Sequence, residues 1–378
     1  MKILQFGFID SLNIGDRLIA EEIQHQYLEN HETRAVSYLG TPRENIPSIA
    51  DSSVEKSKKK NKLKQKLAMM IPYHPDRRTE DLVEQWIADA DCIVFSGGNL
   101  IFDLNKYSKS YFKLKWIVEL AKKHNKKIVA LSIGLGPFKT KKQEKEAVRL
   151  LNDLSYVSVR DLKSASYFKK EVAVIQDPVF TSEFFAPLAQ RQSLKNEQHI
   201  AVSIIDYRFA GASQEQYSVY IKQMTAILLQ LSIKYQVTIF STEMRDYQAV
   251  EDIYHLLVGA VEMKIIRSKE ELYALYEVST LIIGTRMHSM IFAVAAKIPV
   301  VGISWQDKVT EMFRILADPT SCFSIQELEK QQTAILERVE YKMNHVEDER
   351  YLLGEIGQSF QEKVSKEKER VNALLAIK

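Results

Sequence analysis

Cysteine is scarce in this sequence: Cys92 and Cys322 are the only two, and they lie far apart. Each has mainly apolar neighbours, which is typical of buried thiols in a reducing compartment. The pair also lacks the clustered spacing of a structural zinc site. The sequence therefore predicts neither a disulfide framework nor a zinc site.

Long apolar runs are absent as well. No segment approaches the roughly 20 apolar residues that a membrane-spanning helix needs. The N-terminal MKILQFGFIDSLNIGD is apolar only between Ile3 and Ile9, and it lacks the small-residue cleavage site of a secretory signal. We therefore expect a cytoplasmic protein.

Several catalytic motifs are also missing. The sequence contains no G-x-x-x-x-G-K-[ST], no G-x-S-x-G and no H-E-x-x-H, so it does not support a P-loop ATPase, a serine esterase or a zinc protease. Asp89 and Asp91 form one D-x-D directly before an apolar strand. We interpret this pair as the end of a helix rather than as a metal site.

Basic and acidic residues are nearly equal in number. The 52 basic residues, Lys and Arg together, exceed the 49 acidic ones by only three, which does not favour a nucleic-acid partner. The run KSKKKNKLKQK, which begins at Lys56 and ends at Lys66, nevertheless carries seven lysines and no acid. A solvated surface is the interpretation we favour for this run, and peripheral contact with the anionic inner face of a membrane is the alternative.

The 378 residues suffice for two α/β domains of ordinary size. Strand-like runs separated by helical patterns occur in two series, which predicts two parallel sheets covered by helices on both faces. The first series is KILQF, CIVFSGG, KIVALSIGLG, YVSVRD and VAVIQDP, and the second is HIAVSII, QVTIFS, MKIIR, TLIIG and IPVVGIS. The fold class we predict is α/β, with two Rossmann-like domains that face a cleft in the GT-B manner.

The domain junction is expected near Pro187, where FFAPLAQRQSLKNEQH loses its periodicity. We assign residues 1–185 to the N-terminal domain and residues 199–340 to the C-terminal domain. Residues 341–378 are expected to form a charged helical tail that packs back on the N-terminal domain.

Glycine-containing loops follow two strands of the first series. Gly97, Gly98 and Asn99 come after CIVFS, and Gly134 and Gly136 come after KIVALSI. Bare backbone N–H groups in such loops can contact an anion or a sugar, but the same glycines also suit tight turns between strand and helix.

A similar choice applies near the N-terminus, where Asn13, Gly15 and Asp16 follow the first strand. Asp16 can contact substrate or cap the first helix, and by itself the pattern favours the cap.

The most informative segment of the chain is TLIIGTRMHSM. Arg286 and His288 follow a strand that ends at Gly284, and a helix is expected to begin near Ser289. A guanidinium, an imidazole and a helix N-terminus together suit a small anion with several charges. The alternative is that Arg286 and His288 only cap the strand and pair with a carboxylate.

Two further charged residues follow strands of the first series. Arg160 ends YVSVR, with Asp161 beside it as an available partner. Asp177 precedes Pro178, where it can act as a base toward the cleft or simply form an Asp-Pro turn.

Taken together and in order, these motifs resemble the polysaccharide pyruvyl transferases, which attach pyruvate from phosphoenolpyruvate as a ketal across two sugar hydroxyls. The resemblance covers most of the chain. Ser96 and Trp305 depart from it, because many relatives carry glycine and tyrosine there. The motifs that carry it are N-x-G-D, SGGNLIFD, SIGLGP, SVRDLKS, QDPVF and GTRMHSMIFAVAAKIPVVGISWQDK.

The resemblance implies a role for each matching residue. Arg286, Met287 and His288 would bind phosphoenolpyruvate, with His288 as general acid. Arg160 would be the second arginine on that substrate, and Asp177 would be the base. Contacts with the acceptor, or other loop contacts, would come from Asn13, Asp16, Gly97, Gly98, Asn99, Gly134, Gly136 and Lys308.

The function implied is transfer of pyruvate to a sugar of a cell-surface polysaccharide or exopolysaccharide, or of its lipid-linked precursor. This chemistry requires no metal or organic cofactor, because phosphoenolpyruvate is a co-substrate. One alternative is a nucleotide-sugar glycosyltransferase of GT-B type. Another is a non-catalytic partner in capsule assembly, for which a change at His288 would leave function intact.

Overall fold

A computed structural model of the chain describes residues 1–38, 76–102, 110–190 and 198–376. The lysine run that begins at Lys56, and Asp103 at the end of SGGNLIFD, lie outside these residues. The described chain divides into two compact units. The first unit comprises Met1–Ser11, Asp16–Pro178 and Lys363–Lys378, and the second comprises Leu12–Gly15 and Val179–Glu362.

Seven strands of the described chain form the sheet of the first unit, and every pair in it is parallel. The order is β2-β1-β3-β5-β6-β7, and β4 pairs with β5. The chain reverses its direction of strand addition between β1 and β3. The strands are β1 (Lys2–Gly7), β2 (Glu32–Ser37), β3 (Cys92–Ser96), β4 (Asn99–Ile101), β5 (Lys127–Leu135), β6 (Tyr156–Val159) and β7 (Ala173–Val174).

Helices cover both faces of this sheet, as β3 shows. Alternate side chains of a strand point to opposite faces, and Ile93 and Phe95 join one apolar cluster whereas Cys92 and Val94 join the other. The helices labelled in chain order are α1 (Ile14–Leu28), α2 (Arg77–Asp89), α3 (Ser110–Lys123), α4 (Lys141–Asn152) and α5 (Leu162–Ala165).

The sheet of the second unit is also parallel, and six strands of the described chain form it. Its order, β10-β9-β8-β11-β12-β13, is the 3-2-1-4-5-6 order of a Rossmann sheet. The strands are β8 (His199–Ser203), β9 (Gln236–Phe240), β10 (Glu262–Met263), β11 (Leu281–Gly284), β12 (Val300–Ser304) and β13 (Cys322–Ser324).

The second unit contains most of the remaining helices. Short 3-10 turns occur at Pro178–Thr181, Tyr207–Ala210, Met244–Asp246, Pro319–Ser321 and Ile325–Glu327. The α-helices are α6 (Ala186–Ala189), α7 (Gln214–Ser232), α8 (Tyr247–Leu256), α9 (Lys269–Val278), α10 (Met287–Ala295), α11 (Asp307–Ile315), α12 (Leu328–Asn344) and α13 (Val346–Ala376).

The α/β class with two Rossmann-like units, expected from the sequence, is therefore confirmed. Details differ: the strand expected at MKIIR is only Glu262–Met263, and Asp16 lies inside α1 rather than before it. Cys92 is buried as expected, whereas Cys322 is partly exposed. No helix in the described part of the chain is long and apolar enough to span a membrane.

Candidate functional site

In the second unit, β8 and β11 are neighbours at the point where strand order reverses. Ligands of open α/β sheets bind beyond the carboxyl ends of the strands at this point. The residues that follow β11 are Thr285 and Arg286, and Thr285 is fixed because its N–H and its hydroxyl both donate to the carbonyl of Ser203 on β8. Arg286 therefore lies where the fold favours ligand binding.

Arg286 forms a two-point ion pair with Asp246. Its Nε donates to Oδ2 of Asp246 at 2.6 Å, and its Nη2 donates to Oδ1 at 2.6 Å. This is the carboxylate pairing that the sequence left open as the structural alternative. It holds the guanidinium in one orientation and leaves Nη1 outside these two bonds.

Asp246 is fully buried and is itself firmly held. Its carboxylate also accepts from the hydroxyl of Ser241 at 2.9 Å and from the backbone N–H of Asp206 at 2.9 Å. Sequence reasoning missed Asp246, because it lies in a 3-10 turn where an acidic residue usually faces solvent.

His288 is the second residue of α10, which begins at Met287 and not near Ser289 as expected. No side chain caps this helix at Arg286, and the first-turn N–H of Ser289 donates to the carbonyl of Arg286 at 3.1 Å. The N-terminal end of the helix also carries a partial positive charge. His288 is buried and its ring stacks on Phe292. Arg286, Met287 and His288 thus lie at one helix N-terminus.

Trp305 and Lys308 follow β12, the neighbour of β11. Trp305 donates its indole N–H to the carbonyl of Thr285 at 3.0 Å, and Arg286 lies 5.9 Å from the centre of its ring. Lys308 lies over the same ring at 5.8 Å. The indole is therefore hydrogen-bonded to the loop after β11 and lies near both cations.

The first unit has its own polar cluster at the carboxyl edge of its sheet. Arg160 is buried and donates from Nη2 to Oδ1 of Asn99 at 2.7 Å. Its contacts with Asp161 at 3.5 Å and with Asp177 at 3.8 Å are longer than charge-assisted hydrogen bonds. The structure thus brings together Arg160, Asn99 and Asp177, which the sequence suggested separately.

Gly134 gives this cluster its space. A Cβ on Gly134 would lie 2.8 Å from Nε of Arg160 and closer still to Oδ1 of Asn99. Close packing around Arg160 is therefore a sufficient reason for this glycine.

Ser132 was not predicted, although it organises the same edge. Its backbone is left-handed, with a φ of 50°. Its hydroxyl donates to the carbonyls of Ile175 and Gln176, at 3.1 and 3.0 Å, directly before Asp177. Ser132 opens the SIGLGP motif, but its role depends on contacts with Ile175 and Gln176 that the motif does not contain.

The other predicted loop residues have structural partners. Gly97 and Gly98 have φ of 50° and 70°, and side chains there would collide with Ile19 and Phe8. Gly136 packs against Tyr167.

The two polar residues predicted near the N-terminus are also engaged. Asp16 accepts from the hydroxyl of Ser11 at 3.2 Å. Asn13 accepts the backbone N–H of Gly15 at 2.8 Å.

Among the described residues, no group of three or more His, Cys, Asp or Glu side chains could hold a metal ion. Asp89 is the last residue of α2, and Asp91 accepts the backbone N–H of Lys2 at 2.8 Å. Asp89 thus ends a helix, and Asp91 holds the backbone at the start of β1.

Solved structures with a similar fold share little sequence with this chain. HepE of Anabaena, in complex with UDP-glucose, is 14% identical, with a TM-score of 0.55 over 97% of this chain and 100% of that one. A Rickettsia africae glycosyltransferase is 12% identical, with a TM-score of 0.54 over 100% and 99%. The Neisseria meningitidis UDP-GlcNAc 2-epimerase bound to UDP-GlcNAc is 12% identical, with a TM-score of 0.52 over 97% and 100%. At these identities the likeness shows the fold alone.

A comparison with curated protein sequences finds no match. The polysaccharide pyruvyl transferase family, in contrast, matches residues 13–307. That range includes the Asn13 motif, the cluster around Arg160 and the pair Arg286 and His288. Because the match covers most of the chain, this protein belongs to the polysaccharide pyruvyl transferase family.

Proposed function

We propose that this protein transfers pyruvate from phosphoenolpyruvate to a saccharide acceptor and forms a ketal. The observation that carries the proposal is the site of the second unit. There, a buried aspartate orients the Arg286 guanidinium, and His288 lies two residues away on an uncapped helix N-terminus. Family membership supplies the reaction class.

The charges of phosphoenolpyruvate suit this arrangement. The substrate carries a carboxylate and a phosphate, and both are anions that an arginine fork and helix N–H groups bind well. Asp246 already neutralises the single positive charge of Arg286. In this proposal, the positive N-terminal end of α10 is therefore a necessary part of the anion site.

In the reaction we propose, His288 delivers a proton to the methylene carbon of phosphoenolpyruvate. The neighbouring carbon becomes electron-poor, one sugar hydroxyl adds to it, and its bond to the phosphate oxygen breaks. The second hydroxyl then completes the ketal. Of the two hydroxyl protons, one replaces the proton that His288 gave and the other leaves with inorganic phosphate, so the step balances.

Arg160 and Asp177 belong to the proposal in the roles predicted from the sequence. Arg160 is the second arginine on phosphoenolpyruvate, and Asp177 is the base that takes a hydroxyl proton. The two side chains lie 3.8 Å apart, which places both roles at one edge of the first sheet. The acceptor is a sugar of a surface polysaccharide or its lipid-linked precursor.

The test is to incubate the purified protein with phosphoenolpyruvate and synthetic or lipid-linked glycosides, and to measure phosphate release together with the mass of the ketal product. We expect His288→Ala to lower the rate about a hundredfold or more. Arg286→Lys and Arg160→Lys should raise KM for phosphoenolpyruvate, because lysine cannot form the fork. Arg314→Lys, at an exposed side chain, is the control. Phosphate release without a ketal, or full activity of His288→Ala, would refute the proposal.

A nucleotide-sugar glycosyltransferase is the second candidate. The uncapped start of α10 at the reversal point could hold a diphosphate, and two of the fold neighbours were solved with UDP-sugars bound. A ligand that binds only the folded state raises the thermal midpoint of a protein by an amount that grows with its concentration relative to Kd. Stabilisation by UDP-glucose and not by phosphoenolpyruvate would favour this candidate.

A further inference from the structure

Leu12–Gly15 belongs to the second unit, although the chain on either side of it belongs to the first. Its backbone is anchored next to β9. Asn13 forms an isolated antiparallel bridge with Glu243, and the N–H of Ile14 donates to the carbonyl of Thr242 at 3.2 Å. The Asn13 side chain then accepts the N–H of Gly15 at 2.8 Å. These bonds fix the position of Gly15 in the second unit.

Gly15 lies directly against the imidazole of His288. A Cβ built on Gly15 would lie 2.5 Å from Cβ of His288, and closer still to Cγ and Nδ1 of its ring. Real Cβ contacts essentially never fall below 3.0 Å, so no other residue fits at position 15 with the ring where it is. The same ring stacks on Phe292 with 6.1 Å between ring centres.

The backbone of Gly15 gives no other reason for a glycine. The residue lies in the first turn of α1, and its φ is outside the left-handed range that favours glycine. Glycine is a poor helix former, so α1 would be better served by almost any other residue. The contact with His288 explains why residue 15 is a glycine.

From this contact we infer that Gly15 is a positioning residue for His288. The inference rests on the proposed function for its catalytic consequence, since His288 is there the proton donor. Proton transfer needs the imidazole within hydrogen-bond reach of the reacting atom. A displacement of about 1 Å can cost about a hundredfold in rate. The N-x-G motif near the N-terminus is thus in direct contact with the R-x-H motif some 270 residues later.

The first experiment follows the ring itself, without turnover. The imidazole signals of His288 are recorded by NMR and assigned by their loss in His288→Ala. In Gly15→Ala we expect the chemical shifts of the His288 ring to change, because the new methyl group displaces the ring. Gly357→Ala is the matched control, because its Cβ would meet nothing within 4 Å. Unchanged His288 signals in Gly15→Ala would overturn the inference and leave the proposed function intact.

The second experiment is a double-variant cycle. Gly15→Ala should lower kcat about tenfold or more and change KM for phosphoenolpyruvate by less than about threefold. In a His288→Gly background, the same substitution should change the remaining rate by less than about twofold, because every His288 atom that it would displace is gone. Full additivity of the two losses would refute the inference.

Folding supplies a further check of the same contact. If Gly15→Ala alone does not fold, the double variant with His288→Gly should fold, because a glycine at 288 removes both the ring and the Cβ that the new methyl group would meet. Failure of the double variant as well would contradict the inference. Wild-type protein that forms no ketal would refute the proposed function, whereas the NMR result would stand.

Discussion

At the scale of single residues, the ion pair of Arg286 determines what that side chain can bind. Arginine has five N–H donors, and two of those on Arg286 are bonded to Asp246. The side chain of Asp246 is 0% exposed, so its charge is compensated only by Arg286 and by the donors around it. The orientation of Arg286 is therefore set before any ligand arrives.

The substitution Asp246→Asn tests this arrangement. An asparagine amide cannot accept from both guanidinium nitrogens, so Arg286 loses its fixed orientation. We expect KM for phosphoenolpyruvate to rise about tenfold or more. Stability should fall by about 3–5 kcal/mol, because half of a buried pair is removed. Initial rates against phosphoenolpyruvate concentration and urea unfolding measure the two effects.

The control is Asp252→Asn in the same unit. Asp252 accepts from the hydroxyl of Tyr217 on α7 and from the side-chain amide of Gln248 on α8. Its loss should change stability without a change of KM. Equal KM values for the Asp246 and Asp252 variants would show that Asp246 does not position Arg286.

Sequence reasoning found the site residues that carry a motif and missed those that support them. Arg286 and His288 stand out because charged residues follow an apolar strand directly. Asp246 and Ser132 carry no such pattern, since their roles depend on contacts with distant parts of the chain. The position of Gly15 was recognised as part of a motif, but its contact with His288 is a tertiary fact that the spacing of residues does not contain.

At the scale of elements, the C-terminal helix α13 carries a polar cluster into the first unit. Glu367 is buried and accepts from the hydroxyl of Tyr27 at 2.5 Å and from that of Tyr156 at 3.2 Å. Burial raises the pKa of Glu367 above its ordinary value, against the opposing effect of hydrogen bonds from Ser158 and the two tyrosines. The same burial raises the pKa of both tyrosines, so they remain protonated donors.

The raised pKa of Glu367 makes the docking of α13 sensitive to pH. The folded state holds this proton more tightly than the unfolded chain, so the stabilisation is complete below the ordinary pKa of glutamate. It is then lost as pH rises through the raised folded pKa. Glu367→Gln is neutral at every pH and should lack this loss.

The measurement is the urea midpoint for loss of amide protection in α13, in a series from about pH 5 to about pH 8. We expect the wild-type midpoint to fall relative to that of Glu367→Gln as pH rises. Parallel pH dependence of the two proteins would contradict the expectation.

The long central strands could be predicted from sequence, whereas the short strands at the edges could not. CIVFS and KIVALSI are continuous apolar runs, because helices cover both of their faces. Asn99–Ile101 and Cys322–Ser324 have only three residues each, and pairing with β5 and β12 makes them strands. Glu32–Ser37 begins with three polar residues and lies at the end of the sheet order among the described strands.

At the scale of the whole molecule, the first unit is built from separated parts of the chain. Val364, Val371 and Leu375 of α13 are buried in one cluster with Ile23 and other residues of the first unit. Burial of each such side chain contributes about 1.5–3 kcal/mol. Residues 363–378 are therefore required for the stability of a sheet that begins at Lys2.

A chain that ends at Glu362 should accordingly lose protection in one unit only. We expect hydrogen exchange to speed up in β3 and β5 and to remain slow in β8 and β11. The reason is that the second unit has its own apolar core. Peptide-resolved exchange measured by mass spectrometry checks this, with the exposed Lys366→Ala as control. Equal loss in both units would contradict the division.

The segmented first unit also has a consequence during translation. Ribosomes extend a chain at about 5–20 residues per second, and domains usually fold as soon as they emerge. Here the unit that contains β1 lacks part of its apolar cluster until the last turns of α13 have been made. We therefore expect the face of α1 that carries Ile23 and Tyr27 to stay without its permanent cover for a time on the order of tens of seconds.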